Sequence, residues 1–440
     1  MKWNNWVIFS YALGQFGWSL ASFGVGNLLI YFYMPPDTGK TPIFPQFITA
    51  SYIFGIFTWV GIISFSGRFI DGFWDTYIAD HSDKSNNKIG KRKWYMIMGI
   101  LPFVLSSFFI FFPISSHSNV NTIWLITNTT IFYLSMTLYV VPYTALMVEL
   151  TDTDKGRLLI STFISIAWAI GTVVGNMSYA IKDYLDLFYS SVNSFQITIG
   201  LFSIVSFIAM LFPIVFINEK IHCKQSDLNR ETNLWDNLRK AFATGSFRNF
   251  VLSDLMYWIA VSVIAMGMVH YVKILLHLDT KYVSYVFLGI YVLSFMLYIP
   301  TNIIARKLGK KTTQKISFIM TIIVYMLISL LGTITWISPL CQIIIIGIVV
   351  SFPLATFGII PNAIVGDIIE TNANEHGERN AALFYAIRSF MMKTGISLAN
   401  LIFPSILLLG YSQENDFGIR LSAVFSAFCL LLGLYFFRKV

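Results

Sequence analysis

The sequence predicts an all-α integral membrane protein with twelve transmembrane helices in two six-helix bundles. Its 440 residues are 56% hydrophobic and only 12% charged, whereas a soluble domain carries about 25% charge. The charges lie in short segments between apolar runs long enough to cross a hydrocarbon core of roughly 30 Å. One long hydrophilic stretch near the middle of the chain separates six such runs from six others. A membrane protein built from two halves follows from these observations.

The predicted spans are bounded by charged residues and by Pro and Gly. In chain order they are Trp6–Tyr33, Ile48–Thr76, Tyr95–Ile114, Thr122–Leu150, Leu158–Ile181, Phe195–Ile217, Phe250–Leu275, Val283–Ile304, Gln314–Trp336, Cys341–Ile360, Ala381–Leu409 and Leu421–Phe437.

Three domains are therefore predicted: an N-terminal bundle over residues 1–218, a linker over 219–248 and a C-terminal bundle over 249–440. Within the linker, Leu228–Thr244 has apolar residues near helical spacing. This pattern predicts an amphipathic helix lying on the membrane surface. An ordered linker without lipid contact explains the pattern equally well.

Basic residues indicate the orientation in the membrane. Of the 30 Lys and Arg residues, 22 fall in loops on the side that also holds both termini. Cytoplasmic loops carry such an excess, so both termini are predicted to be cytoplasmic. Since the net charge of +8 is spread over alternate loops and forms no single patch, nucleic acid is not an expected partner. The expected location is the plasma membrane, as a bacterial inner-membrane, multi-pass monomer.

A weak internal repeat supports the division into halves. The second and third spans are joined by GKRKW (Gly90–Trp94), and the eighth and ninth by RKLGKK (Arg306–Lys311). The same kind of glycine-plus-basic turn thus occupies the same place in each half. Two six-helix halves related in this way indicate the major facilitator architecture, whose substrate sites lie near the midplane.

Ionisable residues inside predicted spans are the candidate functional groups, because each costs several kcal/mol in a bilayer. Arg68, Asp71 and Asp75 follow the spacing i, i+3, i+7 and share one helix face. The two carboxylates can bind a small cation or a proton, with Arg68 as a charge partner. Alternatively, Arg68 neutralises one aspartate and the group only holds helices together.

Arg388 and Lys393 lie within the eleventh span. Lys393 has no acidic neighbour in its own helix, and a buried lysine needs a carboxylate from another helix to keep its proton. Asp71 or Asp75 is the candidate; a lysine that reaches the membrane surface is the alternative. Asp367, Glu370 and Arg379 follow the tenth span and are predicted to form an inner gate.

Enzyme and cofactor signatures are absent from the sequence. It contains no Walker loop, no dinucleotide-binding glycine fingerprint and no HExxH. The three cysteines are scattered and give neither a metal-site spacing nor a disulfide framework. We therefore expect no enzymatic activity and no cofactor other than a coupling ion, Na⁺ or H⁺, at Asp71 and Asp75.

Three segments resemble the glycoside–pentoside–hexuronide cation symporters. They are RFIDGFWDTYIADHSDKSNNKIGKRKW (Arg68–Trp94), PYTALMVELTDTDKGRLLISTF (Pro142–Phe163) and GIIPNAIVGDIIETNANEHGERNAALFYAIRSFMMKTG (Gly358–Gly395). The resemblance implies a cation site at Asp71 and Asp75 and a coupling role for Lys393.

The chain departs from that family at the sugar-binding positions. Ser19 stands where galactoside carriers have a first-helix aspartate, and Val140 replaces a fourth-helix aspartate. The family's fifth-helix arginine falls at about Ser165. The resemblance therefore implies retained coupling chemistry and a different cargo.

The first span offers residues suited to a sugar site, namely aromatic rings and amides, and its Gly17 allows another helix to approach closely. The predicted substrate-binding residues are Gln15, Trp18, Ser19 and Tyr143.

These patterns together predict a secondary active transporter that couples symport of a sugar or sugar-like small molecule to a cation gradient by alternating access. A carrier of lysophospholipid or another amphiphile is the alternative within the same class. A non-transporting membrane receptor or scaffold is the alternative from another class.

Overall fold

The computed structural model describes residues 5–39, 42–53, 55–85, 87–150, 154–219, 242, 244–376 and 381–440. The chain divides into two compact units. The N-terminal unit holds the described residues of Met1–Pro35, Ile43–Ala50 and Ser66–Asn229, and the C-terminal unit holds those of Pro36–Pro42, Ser51–Phe65 and Arg230–Val440. Most of the predicted surface helix falls on residues 220–241, outside the described residues.

The N-terminal unit is built from helices. Its first span is α1 (Asn5–Phe23), a π-helical turn (Gly24–Leu28) and α2 (Leu29–Tyr33) in direct succession. The other helices are α3 (Trp59–Lys84), α4 (Lys91–Phe109), α5 (Ser118–Glu149), α6 (Asp154–Asn176), α7 (Ser178–Leu185) and α8 (Ser191–Phe216). Helix α3 begins among residues of the C-terminal unit and enters the N-terminal unit at Ser66.

The described residues of the C-terminal unit form six long helices. They are α9 (Gly245–His270), followed by a π-helical turn (Tyr271–Leu275), α10 (Lys281–Leu308), α11 (Lys310–Ser329), α12 (Pro339–His376), α13 (Ala381–Leu407) and α14 (Phe417–Phe437).

Nine helices among the described residues are long and apolar enough to cross a membrane. Three further helical segments, 5–33, 59–84 and 91–109, bring the number of membrane helices among the described residues to twelve. Polar residues lower the hydropathy of these three; the segment 59–84, for example, contains Arg68, Asp71 and Asp75. Twelve membrane helices in two groups of six, as predicted, form the architecture.

The second span begins at Trp59 and not at Ile48 as predicted from the sequence. The intervening residues include a two-stranded antiparallel hairpin, β1 (Tyr52–Ile53) and β2 (Phe57–Thr58). Gly55 in its turn has φ +72°, a conformation that favours glycine. Tyr52 Oη donates a hydrogen bond to the Ser405 carbonyl of α13 at 3.1 Å. Hydropathy alone could not separate this apolar hairpin from the helix that follows it.

The two glycine-plus-basic turns adopt related backbone geometry. Gly90 (φ +135°) precedes α4, and Gly309 (φ +89°) precedes α11. Both φ values lie in the region that residues with a Cβ rarely adopt. The first turn has an acidic cap: Glu219 accepts hydrogen bonds from the backbone N–H groups of Arg92, at 3.2 Å, and Lys93. A carboxylate at a helix N-terminus is stabilising, so Glu219 ties the end of α8 to the start of α4.

Gly17 of α1 sits at a close helix contact, which gives a stability prediction. A Cβ at this position would lie 2.8 Å from the Ser206 carbonyl oxygen and 2.7 Å from Met210 Cγ, both on α8. Because the carbonyl is backbone and cannot rotate away, Gly17→Ala must separate the helices. We expect a loss of about 1–3 kcal/mol in the free energy of unfolding in detergent. Gly289→Ala on α10 is the control, since its Cβ would meet nothing within 4 Å; an equal loss in the control would contradict the assignment.

Candidate functional site

Helix α3 places Asp71 and Asp75 one turn apart, and α5 supplies a hydroxyl to both. Thr137 Oγ1 donates to Asp71 Oδ1 at 2.8 Å and lies 3.3 Å from Asp75 Oδ1. Asp71 and Thr137 are buried, and Asp75 is partly buried. A hydroxyl carries one proton, so Thr137 cannot donate fully to both carboxylates at once. The cluster brings three oxygen-bearing side chains from two helices together.

This cluster has the chemistry of a cation site. Two carboxylates in a membrane helix repel one another and are costly to keep charged. A small hard cation relieves that repulsion and prefers carboxylate and hydroxyl oxygens as ligands. A proton shared between the carboxylates would relieve it too. The arrangement therefore serves either ion.

Thr137 was missed by the sequence reasoning. Threonine is common in this chain, and nothing in the sequence around Thr137 marks it. Its distance along the chain from Asp71 also hides the contact. Only the packing of α5 against α3 shows that its hydroxyl reaches both carboxylates.

Arg68 lies on α3 with the two aspartates but forms no ion pair with any carboxylate among the described residues. A Cβ added to Gly26, in the π-helical turn of the first span, would lie 4.0 Å from Arg68 Nη1. The guanidinium therefore faces that turn. Arg68 does not neutralise Asp71 or Asp75 in this conformation.

Lys393 belongs to α13 of the C-terminal unit and is partly buried. Its backbone carbonyl accepts a hydrogen bond from Ser397 Oγ at 2.8 Å. The pairing of Lys393 with the carboxylates of α3 stays a prediction.

The C-terminal unit contains an ion pair that the sequence reasoning did not assemble. Arg388 Nε of α13 donates to Asp254 Oδ2 of α9 at 3.0 Å. Arg388 Nη1 donates to Asn362 Oδ1 of α12. The side chains are 15% exposed for Arg388 and 5% for Asp254. Three helices thus share one polar cluster, in which Asp254 is buried, Arg388 is partly buried and Asn362 is exposed.

The predicted substrate residues lie in different surroundings. Tyr143 is fully buried: its ring stacks on Tyr11 at 4.3 Å, and each hydroxyl donates to the other residue's backbone carbonyl. Ser19 packs against Gly171 of α6 and donates to the Phe16 carbonyl at 2.9 Å.

Gln15 and Trp18 also belong to α1. Gln15 is buried, and Trp18 is partly buried. The buried indole Nε1 of Trp18 has no hydrogen-bond partner among the described residues. A substrate role for these two, as for Ser19 and Tyr143, stays a prediction.

The predicted inner-gate residues lie near the end of α12. Asp367 accepts two hydrogen bonds of 2.7 Å from Lys310 of α11, and Glu370 is exposed. Arg379 lies outside the described residues.

An ion pair at the corresponding place in the N-terminal unit is far more buried. Glu149 Oε1, at the end of α5, lies 3.1 Å from Arg92 Nη2 and 3.5 Å from Lys91 Nζ. In both units a basic residue just after the glycine turn contacts an acidic residue near the end of a neighbouring long helix. The internal repeat therefore extends from backbone geometry to the ion pairs.

Comparison with known proteins gives one match to a family model and distant relatives. The model described as MFS/sugar transport protein matches residues 10–436. An uncharacterized symporter of Bacillus subtilis (strain 168), YnaJ, is 22% identical over 405 residues, which are 90% of this chain and 81% of that protein.

Solved structures of transporters share the fold. The nucleoside transporter NupG has a TM-score of 0.67 at 12% identity, and the match covers 99% of both chains. A bacterial homolog of the human lysosomal transporter Spinster, inward-facing and unoccupied, has a TM-score of 0.66 at 11% identity, covering 98% of this chain and 95% of that one. A POT family transporter in complex with 5-aminolevulinic acid has a TM-score of 0.64 at 10% identity, covering 97% and 94%. Identities this low show the fold alone.

Proposed function

Because the chain belongs to the MFS/sugar transport protein family, we propose that this membrane transporter is a cation-coupled symporter of a sugar-like solute. The observation that carries the proposal is the contact of Thr137 with both Asp71 and Asp75 inside the helical N-terminal unit. Two carboxylates inside a membrane-spanning helix are costly, and binding of a coupling ion gives them a function that offsets this cost.

Coupling follows from the charge of the cluster. With no cation bound, the two aspartates repel one another; with Na⁺ or H⁺ bound, the net charge falls and the helices around the site can pack more closely. If the solute binds better to the cation-loaded protein, the cation binds better to the solute-loaded protein by the same factor. Lys393 is proposed as the group that compensates the carboxylates when the site is empty.

In alternating access, the loaded site is open first to one side of the membrane and then to the other, while the binding site itself stays near the midplane. The ion pairs Lys310–Asp367 and Arg92–Glu149 occupy corresponding places in the two units, and we assign both to the inner gate, together with Glu370. Exposed pairs are weak, so the Lys310–Asp367 contact can break and re-form in each cycle at little cost.

The proposed location is a bacterial inner membrane, with both termini in the cytoplasm. The support is the distribution of Lys and Arg, 22 of 30 lying in loops on one side. This orientation puts the turn before α4 and the turn before α11 on the cytoplasmic side.

A ligand screen tests the function. Purified protein is heated in detergent with single sugars, hexuronates, nucleosides and lysophospholipids, each with Na⁺ and with choline in its place. A true substrate should raise the midpoint of unfolding, by an amount corresponding to about 2.7 kcal/mol at 100 times its dissociation constant. We expect a sugar-like compound to do so, and Na⁺ or low pH to increase the effect.

Uptake into proteoliposomes then checks coupling. The compound found in the screen should accumulate when an inward Na⁺ or H⁺ gradient is imposed and only equilibrate without one. Equilibration under every gradient would contradict symport, and binding without any uptake would favour the receptor alternative. Stabilisation by lysophospholipid alone would favour the amphiphile carrier.

A further inference from the structure

Arg68 is a basic residue within a membrane span that has no acidic partner among the described residues. Its Nε is buried and lacks a hydrogen-bond acceptor in this part of the chain. A guanidinium keeps its charge in proteins and has five N–H donors to satisfy. A charged side chain inside the membrane normally has a partner, and its cost marks it as a functional group.

Two buried basic side chains, Arg92 and Lys182, and the partly buried Arg388 have carboxylate partners. Arg388 contacts Asp254 at 3.0 Å, and Arg92 contacts Glu149 at 3.1 Å. Lys182, with a side chain 4% exposed, lies 2.6 Å from Asp186 Oδ2. Within the described ranges each of these three cations has a carboxylate beside it, whereas Arg68 has none.

The Arg68 guanidinium lies beside the first span, and its Nε has no hydrogen-bond partner among the described residues. Its guanidinium faces Gly26 of the π-helical turn Gly24–Leu28, where a Cβ would still lie 4.0 Å away. A Cβ there would be in ordinary van der Waals contact with Nη1, so glycine leaves a methyl-sized space beside this group. Single π-helical turns inside helices occur frequently at functional sites.

Arg68 lies on the same helix as the proposed cation site and on the same face as Asp71. Arg68 precedes Asp71 by three residues on α3, a rise of about 4.5 Å along the helix axis. An anionic group bound at Arg68 would thus lie close to a cation held by Asp71 and Asp75. Opposite charges this close attract, so each would favour binding of the other.

We propose that Arg68 and the turn Gly24–Leu28 form a binding site for an anionic group on the transported solute, a carboxylate or a phosphate ester. The inference rests on the proposed transport function and narrows its substrate to anionic solutes. A carboxylate would come from a sugar acid, and a phosphate ester from a lysolipid headgroup.

The test compares matched probes on wild-type protein and on Arg68→Gln and Arg68→Lys. The probes are glucose, glucuronate, monoacylglycerol and lysophosphatidic acid, each tested for stabilisation against heat and for binding at fixed Na⁺. We expect wild type to bind glucuronate or lysophosphatidic acid at least about tenfold more tightly than its neutral counterpart, as one charge-assisted hydrogen bond would provide. Arg68→Gln should lose this preference, and Arg68→Lys should keep part of it. Binding of glucuronate would identify a sugar acid as the source of the anionic group, and binding of lysophosphatidic acid would identify a lysolipid headgroup.

Stability without ligand separates a binding role from a structural one. Since Arg68 has no acidic partner among the described residues, Arg68→Gln should melt at the same temperature as wild type or higher. Lys307→Gln, which changes an exposed lysine at the end of α10, is the control for loss of one positive charge and should retain the preference for the anionic probe.

Three results would overturn the proposed anion site. The first is a lower melting temperature of Arg68→Gln without ligand, and the second is an unchanged preference of that variant for the anionic probe. The third is that wild type binds neutral and anionic probes equally, or binds neither. Gradient-driven uptake of a neutral sugar by Arg68→Gln would refute the anion site and leave the symporter proposal standing. Absence of gradient-driven uptake of every probe by wild type would refute the symporter proposal itself.

Discussion

Asp75→Asn is expected to abolish gradient-driven accumulation while leaving the protein folded. The amide has nearly the shape of the carboxylate and keeps an oxygen that can accept the Thr137 hydrogen bond. It lacks the charge that holds a cation. The cation-dependent gain in solute affinity, about 5- to 150-fold for a coupling free energy of about 1–3 kcal/mol, should fall to none. Uptake into proteoliposomes with and without an imposed Na⁺ or H⁺ gradient measures the loss.

Asp80→Asn is the matched control, because it makes the same change on the same helix. Asp80 contacts Lys84 at 2.7 Å in a pair whose side chains are 53% and 71% exposed. Such surface pairs contribute about 0–1 kcal/mol, so this variant should accumulate solute as wild type does. Concentrative, gradient-dependent uptake by Asp75→Asn would show that the cation binds elsewhere.

The acidic pair could be predicted because its signal is local. Asp71 and Asp75 are four residues apart in an apolar segment, and helical periodicity alone puts them on one face. The twelve spans and their grouping also follow from hydropathy and loop charge. The acidic pair, the spans and their grouping all depend on residues that are close together in the sequence, so one sequence is enough to predict them.

Contacts between helices could not be predicted in the same way. Thr137 reaches Asp71 and Asp75 only through the packing of α5 on α3. The sequence placed Arg68 beside the aspartates because of its spacing, yet its guanidinium faces the first span. Helical periodicity fixes which face a residue lies on; the neighbouring helix determines where a long side chain ends.

The pair Asp254–Arg388 could be predicted in part: the sequence shows both charges but not that they contact each other. Both charges were visible inside or at the edge of predicted spans, and the high cost of an isolated charge requires partners. The sequence alone does not say which carboxylate pairs with Arg388. The structure selects one, with Asn362 as a third member.

Loss of Asp254 should strongly destabilise the C-terminal unit. Asp254→Leu leaves the Arg388 guanidinium among α9, α12 and α13 with the Asn362 oxygen as its remaining acceptor among the described side chains. Removing one partner of a buried pair costs about 3–5 kcal/mol. We expect a loss of that size in the free energy of unfolding, measured by titration with a denaturing detergent. Asp367→Ala, in a pair with side chains 44% and 56% exposed, should lose at most about 1 kcal/mol.

The double variant Asp254→Leu, Arg388→Met separates the cost of an unpaired charge from a loss of packing. Replacing both members of a buried pair with apolar side chains is often neutral or stabilising. The double variant should therefore be more stable than Asp254→Leu alone, even though it carries one more substitution. The coupling energy from the full cycle should lie at or above about 3 kcal/mol, the upper end for residues in direct contact.

If the two single losses simply add, the ion pair contributes little, and the stability of this unit depends on the apolar contacts of its helices. Restored stability in the double variant, by contrast, would show that an apolar pair can replace the ion pair in folding, so that any transport defect of that variant would be due to the missing charges.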